Sequence, residues 1–444
     1  MATFAVKFLG CKVSQADAMI VRRALLAAGH AEAPEAEAEL HVVNTCCITA
    51  EAEAKSRQSV RRSLKAGSAR EVYVAGCAVN LDPAQFAAID PAVRPFVGNA
   101  DRVAATIAGT LGACADLEHD VLGRRGPAAS SWLPARPGVW NPSVAEVPPS
   151  TTEPAARTRG FVKVQDGCDC HCAYCIIPTV RGAARSRPAS AVLGEVRRRV
   201  AEGQPEMVMT GISVGDYRDP EHGLELGELM TEVARVPGVQ RVRLSSVEVI
   251  HVKDSLLAAL TGEPKICPHL HLPMQSGDDA VLAAMGRHYS AGEYLQRVLA
   301  LRAAVPDVNL TSDVIVGFPT EDDAAFDRTL ALIDAAQITR VHVFPYSPRP
   351  GTVAAALGDR VSAADKKRRS QALRAHSEAR SREHREALVG TRQRVLIDKV
   401  ADTQSAGYTA DYTRCYLPAV GARRGELLDV GCEALYADGI ACRP

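Results

Sequence analysis

The 444-residue chain has no excess of charge of either sign, since 52 Lys and Arg offset 52 Asp and Glu. No global field recruits a polyanion, so any nucleic-acid contact must rest on local patches. Long hydrophobic runs are also missing: none approaches the length that crosses a bilayer, and no membrane partner is expected. The first residues, MATFAVKFLGCKVSQ, lack the basic segment, apolar core and cleavage site of a secretory signal, so a cytoplasmic location is expected. No repeat of fixed period is evident. Cysteine, by contrast, is abundant, with 13 residues. In a reducing compartment that number argues for metal binding or catalysis rather than disulfides.

A chain of this length is too long for one core. TFAVKFLG, ELHVVNTC and EVYVAGC read as buried strands, separated by segments of helical spacing that end in glycine. The pattern predicts an α/β domain with an open parallel sheet over residues 1–115. Each strand ends at or just before a cysteine: Cys11, then Cys46 beside Cys47, then Cys77. Ligands of open parallel sheets lie beyond the carboxyl ends of the strands, where three thiols would converge. Packing of small buried cysteines is the alternative. Residues 116–157 are rich in Pro, Ser, Gly and Ala, hold Trp132 and Trp140, and read as a linker. Over 158–388, six strand candidates alternate with helical stretches: GFVKVQDG, EMVMTGI, RVRLSSV, HLHLPMQ, NLTSDVIVGFP and RVHVFPYS. They fit a partial (β/α)6 barrel, whose chemistry belongs at the C-terminal strand ends. This stretch closes on a strongly basic helix, and 389–444 reads as the short strands of a small β-barrel.

The densest chemistry is VQDGCDCHCAYC, with Cys168, Cys170, Cys172 and Cys175. Three of them form C-x3-C-x2-C, a spacing that aims three thiolates at one point. Such thiolates hold iron–sulfur clusters, and three on a four-iron cluster leave one iron open. Zinc is the rival, with Cys170 or His171 as a fourth ligand. His269 and His271 alternate on one strand and face the same way. They read as buried, hydrogen-bonded residues, with a metal pair as the alternative.

With Tyr174 before its last cysteine, the loop resembles that of the radical S-adenosylmethionine (SAM) enzymes. Nearly end to end, the chain resembles the methylthiotransferases. The likeness rests on LGCKVSQAD, VVNTCCIT, VYVAGCA, VKVQDGCDCHCAYCIIPTVRG, LSSVE, HLHLPMQSG, DVIVGFPTE and HVFPYSPRPGT. It implies three parts: an N-terminal cluster domain, a radical-SAM barrel and a TRAM-like RNA-binding barrel. It implies two [4Fe-4S] clusters as cofactors, one held by Cys168, Cys172 and Cys175 and an auxiliary one held by Cys11, Cys46 and Cys77. SAM is the third cofactor, and the candidate contacts are Tyr174, Thr210, Gly211, Ser245, Glu248 and Gln275. Cys47 stands where the family has Thr or Ser, Cys170 where it often has Asn, and Thr320 where it commonly has Gly.

The implied activity is a transferase placing a methylthio group on a nucleoside beside the tRNA anticodon. LGCKVSQ and HVFPYSPRPGT resemble the branch acting on N6-threonylcarbamoyladenosine. The alternatives are the isopentenyl-adenosine branch, the branch acting on a ribosomal-protein aspartate, and a non-catalytic zinc-containing RNA-binding protein. The expected partners are the tRNA anticodon stem-loop, a reductant protein and a sulfur donor. Two basic runs support a phosphate partner: Lys55, Arg57, Arg61, Arg62 and Lys65, and the helix from Lys366 to Arg385. Tyr408, Tyr412 and Tyr416 would stack on bases or fill the small barrel.

Overall fold

The computed structural model describes residues 2–66, 68–112, 158–419 and 421–444. The expected linker and its two tryptophans lie outside the described residues. Two compact units emerge, and they do not follow the sequence boundaries. The first joins the N-terminal residues to Gln165–Arg187 and Ser347–Thr352; the second holds the remaining barrel residues and the C-terminus.

In the first unit, Thr3–Phe8, Ala31–Glu32, Leu40–Thr45, Glu71–Gly76 and Val93–Pro95 form one sheet, all parallel. In space, Ala31–Glu32 lies outside Thr3–Phe8, which is followed by the other three strands in chain order. Leu40–Thr45 is buried along its whole length, as expected of a central parallel strand covered on both faces. Helices Lys12–Ala27 and Ala100–Gly112 pack together. Val21, Leu25, Val103 and Ile107 pack with the sheet's Phe4, Leu40, Val42 and Tyr73. Strand order reverses between Thr3–Phe8 and Leu40–Thr45, the place where doubly wound sheets open a crevice. Cys11 and Cys46 follow those two strands.

The second unit contains the six expected barrel strands: Arg159–Lys163, Glu206–Thr210, Arg241–Leu244, His269–His271, Asn309–Val316 and Arg340–Pro345. They pair in parallel as two triplets, and parallel bridges Val242–Ile266 and Ser246–His271 join the triplets. The basic helix is Ala363–Leu388, packed on the Arg340–Pro345 strand. Five strands then close a barrel: Arg392–Val400, Gln404–Tyr408, Arg414–Pro418, Leu427–Tyr436 and Gly439–Arg443.

The joint between the two barrels is polar and dry. Arg243, about 1% exposed, donates to Glu206 Oε1 at 2.9 Å and to the carbonyls of Thr409 and Ala410 at 3.2 and 2.9 Å. Its guanidinium lies 4.5 Å from the Tyr412 ring centre. Glu206 Oε2 has no hydrogen-bond partner among the described residues. Arg243→Met should therefore leave a buried carboxylate without its cation and destabilise the protein by about 3–5 kcal/mol, read by denaturant unfolding. A loss below about 1 kcal/mol would refute this role for the pair.

Two expectations about RNA contacts change. The basic helix is mostly engaged internally. Arg369 pairs with Glu321 and Asp323, Arg380 with Glu383, Arg382 with Glu386, Arg385 with Glu378, and Lys366 with Asp359. Tyr408 and Tyr412, both half-buried, stack on each other beneath Arg159 at the joint. Tyr416 packs edge-on against Tyr436, which is 48% exposed, with Arg414 over the Tyr416 ring. Exposed cations remain on helix Ala50–Lys65, where Arg61, Arg62 and Lys65 have no ion-pair partner among the described residues.

Candidate functional site

All six cysteines of the two C-terminal-edge sets lie in the first unit. Cys11 caps helix Lys12–Ala27, and Cys77 is the first residue of helix Cys77–Leu81. Cys46 is pinned through its backbone, because the Ser56 hydroxyl accepts from its N–H at 3.0 Å and donates to its carbonyl at 3.1 Å. Gly76 makes the turn into Cys77 at φ +97°; a Cβ there would stand 2.2 Å from Asn44 Oδ1 and 2.6 Å from the Thr45 carbonyl. Only glycine fits that conformation and that space.

The other set lies in a clamped loop. Gln165–Asp166 pairs antiparallel with Arg185–Ser186 at its two ends. The Cys168 N–H donates to the Gly182 carbonyl at 3.1 Å, and Cys175 N–H to that of Cys172 at 3.0 Å. Gly167, at φ +72°, precedes Cys168, and a Cβ would meet the Ala183 carbonyl at 2.0 Å. Cys168, Cys172, Cys175 and Tyr174 are half-buried, and none of the six cysteines is in a disulfide.

Arg181 links the two sets. It ends helix Ile177–Arg181, six residues after Cys175. Its Nε donates to Cys77 Sγ at 3.2 Å, Nη1 to Asp166 at 3.0 Å and Nη2 to Asp17 at 2.9 Å. Arg185 holds the other Asp166 oxygen at 3.0 Å. Asn80, on the helix that begins at Cys77, donates to the Val180 carbonyl at 2.8 Å. Burial works against the Arg181 charge, but Cys77, Asp17 and Asp166 outweigh it and leave Arg181 firmly cationic. A hydrogen bond from Cys47, aided by Arg181, holds the Cys77 thiol down, to about 6. Burial pushes Cys46 up to about 11. Cys47 thus faces Cys77, a contact its sequence position did not suggest. Arg349, from SPRPGT, pairs with Glu53 in the same unit.

Fully soft donors at strand and helix ends fit a thiolate-bound cluster. A single zinc ion fits less well. Four thiolates around zinc at about 2.3 Å would stand about 3.8 Å apart. Among the described residues, no three donor atoms within 4.8 Å of one another come from these six cysteines.

In the second unit, the remaining candidates stand at the carboxyl ends of adjacent parallel strands. Thr210 is buried and its carbonyl accepts from Val164 N–H at 2.8 Å. Gly211 follows it. Ser245 is buried, and its hydroxyl has no hydrogen-bond partner among the described residues, an unmet polar atom that a ligand hydroxyl or carboxylate would satisfy. Glu248 accepts from Arg287 at 3.0 Å, which in turn reaches Tyr289. Gln275 adopts φ +68°, rare for a residue with a side chain, while its backbone exchanges bonds with Asp313 and Ile315. His269 and His271 are hydrogen-bonded as expected. Both rings reach Thr311, at 3.4 and 2.9 Å, and His271 also meets Asp313 at 3.0 Å. Sequence reading missed Arg181, Asp17, Asp166 and Tyr436. The only signal was that Asp17, Asp166 and Arg181 stand inside motifs quoted for their cysteines; Tyr436 stands in none of them.

Residues 3–98 match the Uncharacterized protein family UPF0004, and residues 162–333 the Radical SAM superfamily. The chain is 33% identical over 446 residues to the threonylcarbamoyladenosine tRNA methylthiotransferase MtaB of Thermotoga maritima, covering 100% of this chain and 97% of that one. It is 32% identical over 403 residues to the tRNA-2-methylthio-N(6)-dimethylallyladenosine synthase of Geobacter metallireducens, covering 88% and 86%. Among solved structures, the radical SAM methyltransferase TsrM of Kitasatospora setae superposes with a TM-score of 0.57 at 14% identity, over 78% of this chain and 77% of that one. That likeness speaks for the fold.

Proposed function

Because the chain belongs to the radical-SAM tRNA methylthiotransferase family, we propose that it adds a methylthio group to carbon 2 of N6-threonylcarbamoyladenosine beside the tRNA anticodon. The observation that carries this reading is the gathering of six cysteines in one unit, three from each set and none in a disulfide, with Arg181 of the second set's loop donating to Cys77 of the first. Full-length likeness to a threonylcarbamoyladenosine enzyme supports the substrate.

Cys168, Cys172 and Cys175 would hold one [4Fe-4S] cluster, and Cys11, Cys46 and Cys77 a second. Together with SAM these groups supply the one-electron chemistry and the sulfur for replacing an unactivated C–H bond, which no side chain can break by acid or base catalysis. The protein's part is to bind, orient and shield. Clamping at Gln165–Ser186 fixes where the three loop thiols stand. Arg181 neutralises Asp17 and Asp166 and orients Cys77. At the barrel's strand ends, the Ser245 hydroxyl and the Thr210–Gly211 backbone offer SAM polar contacts, and Glu248 is held ready by Arg287. Tyr174 offers an aromatic face for its adenine. On the second unit Tyr416, Tyr436 and Arg414 offer stacking and phosphate contacts to RNA, and on the first the cations of helix Ala50–Lys65 offer phosphate contacts of their own. A reductant protein and a sulfur donor complete the set of partners, in the cytoplasm.

Mass spectrometry of tRNA nucleosides from a deletion strain tests the substrate. Loss of the methylthio form of threonylcarbamoyladenosine alone is the expected result. Loss of methylthio-isopentenyl-adenosine instead would move the chain to the branch of the Geobacter relative. Unchanged tRNA with an unmodified ribosomal-protein aspartate would move it to the third branch.

A further inference from the structure

The small C-terminal barrel contains three cysteines that the chemistry above does not use. Cys415 lies on Arg414–Pro418, Cys432 on Leu427–Tyr436 and Cys442 on Gly439–Arg443. Cys432 and Cys442 are directly opposed on antiparallel strands, and Cys415 is level with Ile440 on the parallel side of the last strand. The three Sγ atoms lie within 4.8 Å of one another, and Cys432 Sγ is 3.8 Å from Cys442 Sγ. All three are buried, at 0, 3 and 2% exposure. Their neighbours are the inward-facing Val395, Ile397, Leu417, Val430 and Ile440.

One buried cysteine is a small apolar filler. Three from separate strands meeting at one point are a donor set. Sulfur atoms bound to one ion at about 2.3 Å stand about 3.8–4.0 Å apart, in tetrahedral or trigonal geometry, which suits this spacing. An all-thiolate set selects thiophilic ions over those that prefer oxygen or imidazole. No fourth Cys, His, Asp or Glu joins the group among the described residues. The nearby Asp411 carboxylate is already held by His384, Thr409 and Thr413. Left without a cation, two of the three thiols hold their protons: burial pushes Cys432 up to about 12 and a hydrogen bond with Cys442 pushes Cys415 up, whereas the bonds from Cys415 and Cys432 hold Cys442 down. A bound cation would displace those protons.

We propose that Cys415, Cys432 and Cys442 form a structural site for one thiophilic d10 metal ion, zinc(II) or copper(I), tying the last strands of the barrel together. The proposal is independent of the cluster assignment. Its test is elemental analysis of the full-length protein, purified anaerobically from media supplemented with zinc or with copper, with iron counted in parallel. The expected result is one zinc or copper per chain beyond the iron. In Cys415→Ala and in Cys432→Ser that metal should fall about tenfold while iron stays constant. X-ray absorption at the edge of the retained metal, on the unmutated protein, should give three sulfurs at about 2.3 Å, so the proposal stays testable if the variants misfold. The edge also distinguishes zinc from copper. The proposal is overturned by unmutated protein with iron but neither metal, by nitrogen or oxygen as the main ligands, by equal metal in the variants, or by an intact mass showing a Cys432–Cys442 disulfide.

Discussion

Replacing Cys11, Cys46 and Cys77 together with alanine should lower the iron of the anaerobically purified protein from about eight to about four per chain, with sulfide falling in step. Replacing Cys168, Cys172 and Cys175 should do the same by removing the other half. The expectation follows from position. Each thiol of the first set ends a parallel strand of one sheet, and two of them border the place where strand order reverses. Each thiol of the second set lies on a loop clamped at both ends by its own strand pair. The sets share no residue, so their losses should add. Cys47 offers a sharper reading of the first set. Its thiol faces Cys77, and Cys47→Ser should keep all the iron if Cys46 is the ligand. Retention of eight irons in either triple variant would remove the basis of the proposed activity. A colourless protein holding zinc alone would favour the non-catalytic RNA-binding alternative.

Arg181→Ala should lower methylthiotransferase activity about 10–100-fold, the usual consequence of removing a group that orients a metal ligand. It should also destabilise the protein by about 3 kcal/mol, because Asp17 and Asp166 are both buried and each loses an ion pair with its guanidinium, Asp166 keeping Arg185. A merely structural role would show in unfolding alone. Orientation of Cys77 adds a second readout: the auxiliary cluster's reduction potential should fall when the N–H donor 3.2 Å from that sulfur is lost. Arg181→Lys keeps the charge but not the three-way fork, and should recover stability better than potential. A folded Arg181→Ala protein with unchanged potential and activity would dismiss the positioning role.

The strands and their terminal cysteines were legible because buried parallel strands are near-continuous apolar runs, and because thiols recur at the same place in each. The six barrel strands were legible for the same reason. What escaped was pairing across distance. Arg181 finds Cys77 and Asp17 more than a hundred residues away, and no local pattern encodes such a partner. The basic helix misled in the opposite direction. Arg369 and Arg380 pair with acids on the Asp323–Ala335 helix and its preceding loop, so part of a run that reads as a surface for phosphate is a packing face, while Lys367, Arg368, Arg374 and Arg382 stay exposed. The barrel cysteines were hidden by alternation, since a cysteine at an inward position looks like any small apolar residue.

The compact unit that unites residues before 113 with Gln165–Arg187 has a bearing on modular engineering. A chimaera that transplanted only the N-terminal segment from a sister enzyme would set a foreign acid opposite the resident arginine. Swaps of the N-terminal segment between enzymes should therefore carry the clamped loop along as one inherited block.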